Sequence, residues 1–342
     1  MITVRDAMRH TLLVVAIALV FLPAVRPQAL VPQTVHRATP GYDSYLTGSA
    51  ADVSRPTTGG LQLEGGGTDI PDAFRWLMAH AGGGDIVVIR ASGADGYNGF
   101  ITGLGEVDSV ESIVFHRREA AFDPEVLAKL ERAEAVFIAG GDQANYVRYW
   151  KDTPVQATIN ALAKRGVPIG GTSAGLAILG EFAFVALEDT VTSPEALADP
   201  YAKKVTLDRG FLTMPHMNGI ITDSHFVPRD RLGRLLVFLG RIVQDGWSRT
   251  ARAIAVDQEA ALLVDADGSA RVVGKGPVYF MATTEPPVVC RAGAPLTMKG
   301  IRTVRVAPGG TFDLTSWSGP GATPYLLSVD AGKVSSSSAS IY

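Results

Sequence analysis

From Leu61 onward the chain alternates short, unbroken apolar runs with segments of helical period. Asp85–Arg90 (DIVVIR), Val110–Phe115 (VESIVF), Ala135–Ala139 (AVFIA) and Val167–Gly170 predict buried strands. Between them, a helix is predicted through Phe74, Trp76 and Leu77, with Thr68 or Asp69 as its cap and Pro71 in its first turn. Further helices are predicted at Pro124–Arg132 and Pro154–Arg165. Apolar strands without alternation, each followed by a helix, predict a parallel sheet covered on both faces. The expected fold is therefore a doubly wound α/β sheet, with its site at the carboxyl ends of the strands. Glycine-rich turns at Gly65, Gly140 and Gly170 close three of the strands and belong at that rim. Asp230–Gln244 places Leu232, Leu235, Leu236, Leu239, Ile242 and Val243 on one helical face. After about Arg252 the pattern becomes β-like (AIAV, AALLV, ARVVG, PVYFM), and no internal repeat is present.

The two ends read differently. Arg5, Arg9 and His10 precede an apolar run from Leu12 to Leu22, followed by Pro23, Ala24 and Ala29. This is the pattern of a secretory signal peptide over residues 1–29, shorter than the roughly 20 apolar residues that span a bilayer. A secreted or periplasmic protein without stable membrane association after signal removal is expected. Residues 30–58, rich in Pro, Thr and Ser, read as a linker. Residues 59–282 read as the catalytic α/β domain, and residues 283–342 as a β-rich C-terminal extension with a polar tail. A net charge of -3 argues against nucleic acid as a partner. The single cysteine, Cys290, excludes an internal disulfide, and no Cys/His cluster has metal-ligand spacing, so no metal or other cofactor is expected.

The candidate chemistry centres on Ile169-Gly170-Gly171-Thr172-Ser173-Ala174-Gly175-Leu176. A strand meets a predicted helix through G-x-S-x-G, the arrangement that exposes a nucleophilic serine on a sharp turn. Ser173 is the candidate nucleophile. The helix expected from Ala174 would direct its free N–H groups at the reacting centre, with the Ala174 N–H as one oxyanion donor. The Gly65–Gly67 loop would supply the second, with Gly66 as the candidate. A serine nucleophile needs a base. His216 and His225 both remain open, and the strand-end placement of His225 in Ile220–Phe226 favours it. Three arginines follow within Val227–Arg234, opposing the dipole of the helix they open and suggesting ion pairs or a carboxylate ligand.

GGTSAG around Ser173, GGDQ ending at Gln143, and DSHF followed by R-x-R-x-x-R together resemble the cyanophycinase and aspartyl-dipeptidase family of serine peptidases, over roughly Leu61 to Met281. The resemblance implies a flavodoxin-like α/β fold related to class I glutamine amidotransferases, a Ser–His pair with an acidic third member, no metal, and a possible homodimer. It implies hydrolysis of cyanophycin, a poly-aspartate carrying arginine on its side chains, to β-Asp-Arg dipeptides, or of other aspartyl peptides. It assigns Ser173 as nucleophile and His225 as base. It makes Gln143 a lining residue of the substrate pocket, Asp223 the acid of the D-x-H motif, and Arg231 and Arg234 arginines beside the site. Val256–Glu259 resembles an acidic stretch that holds the substrate's arginine, and Gln258 stands there in place of an acid. For the third triad member Glu181, Glu188, Asp189 and Glu195 compete, and the loop Thr192–Ala196 resembles the family's acidic loop, so Glu195 is chosen.

Overall fold

The computed structural model describes Gln33–Gly321 and Thr323–Tyr342, and Gln33–Tyr342 forms one compact unit. The expected signal peptide lies outside the described residues.

Five parallel strands form the centre of a ten-stranded sheet: β3 (Gly60–Glu64), β4 (Asp85–Arg90), β5 (Ser109–Phe115), β6 (Ala135–Ile138) and β7 (Ile169–Thr172), in the order β5-β4-β6-β7-β3. The helices α1 (Pro71–His80) and α2 (Gly96–Thr102) pack on one face, where Phe74, Leu77 and Ile101 meet Ile86, Val88 and Phe137. On the other face lie α3 (Pro124–Arg132), α4 (Gln143–Trp150) and α5 (Pro154–Lys164), whose Leu130, Trp150 and Ile159 meet Val87, Ile89 and Val136. Burial on both faces is why these strands are apolar throughout, and the doubly wound α/β expectation holds. The cap of α1 differs from the expectation. Ile70 occupies the N-cap without a side-chain bond, because Asp69 instead accepts from the Tyr97 hydroxyl at 3.1 Å.

The segment read as a linker is a correction. β1 (Thr34–Ala38) and β2 (Tyr42–Gly48) lie inside it and extend the sheet antiparallel to β5. The positions that β2 turns inward include Ser44 and Thr47 as well as Tyr42, so no apolar alternation marks it. Hydrogen bonding takes the place of apolar contact there. Buried Asn98 of α2 donates to the Tyr45 carbonyl at 2.7 Å and to Thr47 Oγ1 at 3.1 Å.

A second, eight-stranded sheet combines β8 (Phe182–Phe184), β9 (Leu207–Arg209), β10 (Ile220–Asp223), β11 (Arg252–Val256), β14 (Val278–Ala282), β15 (Met298–Val306), β17 (Tyr325–Asp330) and β18 (Lys333–Ser336). β10 runs parallel to β8 and β11, and the strands from β14 onward are antiparallel. The helices α6 (Ser193–Ala198) and α7 (Leu232–Gln244) cover one face through Leu197, Leu235, Phe238 and Leu239. β12 (Ala260–Asp265), β13 (Ser269–Gly274) and β16 (Thr311–Asp313) complete the first sheet beyond β3. The C-terminal region is β-rich as expected, but its strands are built into both sheets. β15 pairs directly with β14 across the boundary placed after residue 282, because β14 offers an unpaired edge there.

Candidate active site

The carboxyl ends of β3, β7 and β10 meet, joined by backbone hydrogen bonds. Ser173 N–H donates to the Glu64 carbonyl at 3.1 Å, and His225 N–H donates to the Gly65 carbonyl at 2.8 Å. The turn between β11 and β12 joins them: Gly65 N–H donates to Ala260 O at 2.9 Å, and Glu259 N–H donates to Gly66 O at 2.9 Å. Ser173 Oγ lies 2.8 Å from His225 Nε2. Both residues have left-handed backbone, with φ of 53° and 46°. Each such residue costs about 1–3 kcal/mol and persists only where its surroundings dictate it. Here the glycines make the close approach feasible. A Cβ on Gly175 would stand 2.0 Å from Ile138 O, and one on Gly66 would stand 2.4 Å from the His225 ring.

The helix expected after Ser173 is a single 3₁₀ turn, Leu176–Ile178. The chain must turn at Gly180, which lies against the Ile220 and Phe182 backbone with no room for a side chain, to enter β8. No helix dipole therefore points at Ser173. The two expected oxyanion donors are still available: among the described residues, neither the Ala174 nor the Gly66 N–H donates to a protein acceptor.

His225 is buried, and its imidazole is pushed down to about 4, first by burial and then by the guanidinium groups of Arg229, Arg231 and Arg234, with Asp223 opposing them. It is therefore neutral near pH 7, the state in which Nε2 can accept the Ser173 proton. His216 plays no part here; its Nε2 lies 3.0 Å from Ala266 O.

The choice of Glu195 as third member is corrected. Glu195 is exposed and closes a capping box at the start of α6, accepting from Thr192 N–H and Thr192 Oγ1, both at 2.9 Å. Its carboxyl is held below its ordinary range by those Thr192 bonds and then by Lys204. The sequence S-P-E after Thr192 is a helix start, which is why it looked like a functional acidic loop. The group at His225 Nδ1 is Gln258, with Nε2 at 2.7 Å. In that orientation the ring proton sits on Nε2 and Ser173 can only accept. Turning the isosteric amide over presents Oε1 to Nδ1–H and leaves Nε2 free to take a proton. Gln258, expected to touch substrate, thus stands where a triad's third member acts.

The acid of the D-x-H motif is also placed differently from the substrate-binding role expected of it. Asp223 is buried and binds Arg234 bidentately, with Nε to Oδ2 at 2.8 Å and Nη2 to Oδ1 at 2.5 Å; Arg231 Nη1 is at 3.3 Å. Burial alone would raise its carboxyl, but Arg234 and then Arg231 outweigh that and hold it below its usual range. Arg234 is as buried as its partner, and it also reaches the wall of a neighbouring cleft. Arg231 donates to the Ser224 carbonyl at 2.8 Å and lines the same cleft. That cleft, of about 480 Å³, is bordered by Gln143, Arg148, Asp189, Arg229 and Arg231. Gln143 lines it as expected. Arg229 is exposed and has no ion-pair partner among the described residues. The acids beside Gln258 are occupied: Asp257 accepts from Val227 N–H at 3.2 Å, and Glu259 binds Lys275 at 2.7 Å. Arg148 was not foreseen, because only the tertiary fold brings α4 next to the loop after β8.

Comparison with known proteins points to one group of relatives. Residues 99–197 match the model of peptidase family S51. The chain is 29% identical over 214 residues to a cyanophycinase of Trichormus variabilis, covering 60% of this chain and 66% of that protein. It is 30% identical over 176 residues to a cyanophycinase of Synechococcus elongatus, covering 51% of this chain and 50% of that protein. The matched stretches thus span less than two thirds of these relatives. In fold it resembles the crystal structure of a peptidase from an acI-B1 Actinobacterium, with a TM-score of 0.50 and 17% identity over 75% of this chain and 98% of that one. Among the described residues no group of three or more His, Cys, Asp or Glu side chains is arranged to hold a metal ion.

Proposed function

We propose that this chain is a secreted serine-type hydrolase that cleaves peptide bonds at aspartyl residues through an acyl-enzyme on Ser173. The observation that carries the reading is the 2.8 Å contact between Ser173 Oγ and a neutral His225 Nε2. His225 takes the hydroxyl proton as Oγ attacks the carbonyl carbon. The Gly66 and Ala174 N–H groups receive the developing oxyanion. The protonated ring then gives its proton to the leaving amine, and a water activated by His225 hydrolyses the ester. Gln258 Oε1 holds Nδ1–H throughout, so the ring keeps one tautomer and one orientation.

Cyanophycin is the proposed substrate, in keeping with the name of the relatives that the chain resembles. Secretion rests on the apolar run from Leu12 to Leu22 behind a basic start. A second reading, hydrolysis of short aspartyl peptides, is favoured by the cleft itself. Its Arg148, Arg229 and Arg231 suit carboxylates, while Asp257 and Glu259, the acids available for a substrate guanidinium, are already bonded. Side-by-side incubation with insoluble cyanophycin and with aspartyl dipeptides, with mass identification of the products, separates the two. Release of β-Asp-Arg from the polymer supports the first; cleavage of dipeptides alone replaces it with the second.

A further inference from the structure

Glu64 lies outside the catalytic reading, yet its main chain carries the nucleophile. Its carbonyl accepts the Ser173 N–H, and the next residue, Gly65, accepts the His225 N–H. Its side chain points the other way, into the layer between the sheet and α1. There Gln62 Nε2 donates to Oε1 at 3.0 Å. The carboxyl thus packs against Gln62 of its own strand, directly beneath the backbone that leads into the Gly65–Gly67 loop. The charged and titratable groups facing it are Asp69, Tyr97 and, beyond them, Arg90. No cation pairs with Glu64 among the described residues. Gln62 Oε1 is buried without a partner beside it, so a proton on the carboxyl has an acceptor within the same pair of side chains once the amide turns over.

We propose that Glu64 is a positioning residue for Ser173 and the Gly65–Gly67 loop, acting as a neutral carboxylic acid whose ionisation disorders both. A buried carboxylate without a cation is too costly to persist beside aromatic rings and a second acid, so the neutral form is the one that fits. Burial, and then Asp69, push this carboxyl up to about 8, which places the change just above neutrality. Ionisation sets a negative charge against Asp69 and beneath the loop that must receive an oxyanion. The expected consequence is an alkaline loss of nucleophile reactivity governed by a group that touches neither substrate nor Ser173 Oγ.

This inference rests on Ser173 being the nucleophile, so the experiment reads that residue directly. The rate of Ser173 labelling by a serine-directed phosphonate is measured from pH 6 to pH 10 in the wild type, Glu64→Gln and Glu64→Leu. In the wild type the rate is expected to fall with a midpoint near 8, by about tenfold one unit above it. Glu64→Gln keeps the bond from Gln62 without an ionisable proton. It should label at a rate near that of wild type at pH 7 and lose the alkaline fall. Glu64→Leu should label slowly at every pH, since the bond to Gln62 is gone and its buried amide is left unpaired. A fall centred near 10 instead overturns the proposal as well. Persistence of the same midpoint in Glu64→Gln, or a flat wild-type profile between pH 7 and 10, overturns the proposal. A wild type that is never labelled overturns the serine mechanism itself, a result distinct from either. Should Glu64→Gln fail to fold, the wild-type midpoint and the carboxyl C=O stretch followed by infrared titration decide between the outcomes.

Discussion

Two carboxyl groups underpin the two halves of the candidate site, and they are held in opposite ways. Glu64 ends β3 beneath Ser173, and Asp223 ends β10 two residues before His225; both are 2% exposed. Asp223 faces Arg234 and Arg231 and is kept ionised, whereas Glu64 faces Gln62, Asp69 and Tyr97 and is pushed toward neutrality. Equal burial therefore does not set a carboxyl's state; its neighbours do. The nucleophile's half is held by backbone hydrogen bonds, glycines and a neutral acid. The base's half is held by an ion-pair network that also lowers the basicity of His225.

The largest expected effect tests whether the halves work together. Ser173→Ala and His225→Ala should each lower kcat by about 10⁴-fold or more, and the double variant should be little worse than either, since members of one relay act as a unit. Steady-state assays of the three proteins check this, and additive losses would separate the halves. Next is Gly66→Ala, which forces a methyl group toward the imidazole from a backbone φ of 86°. Displacing the ring by an ångström should cost at least about 10²-fold in kcat with KM little changed. A variant with wild-type kcat would mean that the loop does not set the ring's place.

Breaking the ion-pair half should cost stability rather than rate alone. Asp223→Asn leaves the Arg234 cation buried without its carboxylate, an expected loss of about 3–5 kcal/mol in denaturant unfolding. Glu64→Gln, at the same depth, should cost less than about 1.5 kcal/mol, because no charge is stranded. Their pH dependences should be opposite as well. The folded-state value of Asp223 is lowered, so its contribution is present above the unfolded value and is lost as pH falls through the folded one. That of Glu64 is raised, so its contribution is full below the unfolded value and is lost as pH rises through about 8. Urea melts at acid, neutral and alkaline pH, with and without Glu64→Gln, read both signs. The smallest effect belongs to Glu195→Ala. Its kcat should stay within about twofold of wild type, because a helix cap acts locally. A large loss of kcat would restore Glu195 to the relay.

Much of the scaffold was legible because its signals are short-range. The apolar runs of β4 and β6 and the leucine face of α7 state their burial within a few residues of sequence. The β1–β2 pair was not, since Thr47 reaches the interior through a hydrogen bond from Asn98 and Ser44 through one from Lys129, residues far along the chain. The end of α1 was misread for the same reason, Asp69 being drawn to Tyr97. Glu64 did leave a trace in the sequence. An acid closing an otherwise buried strand, just before three glycines, conflicts with the core around it, and such conflicts gather at functional positions.

By itself the sequence determined Ser173 on its glycine-flanked elbow and His225 at a strand end. Both depend on backbone conformations that only their immediate neighbours permit, and Gly175 and Gly66 record that need locally. Tertiary structure alone decided the partners. Gln258 reaches His225 because β11 lies parallel to β10 and then turns into β12 against β3, and Arg234 is consumed by Asp223 because α7 starts over the end of β10. Which charges neutralise one another, and which acid must keep its proton, are through-space questions. They are settled by separations of about 3 Å between segments that the order of residues leaves far apart.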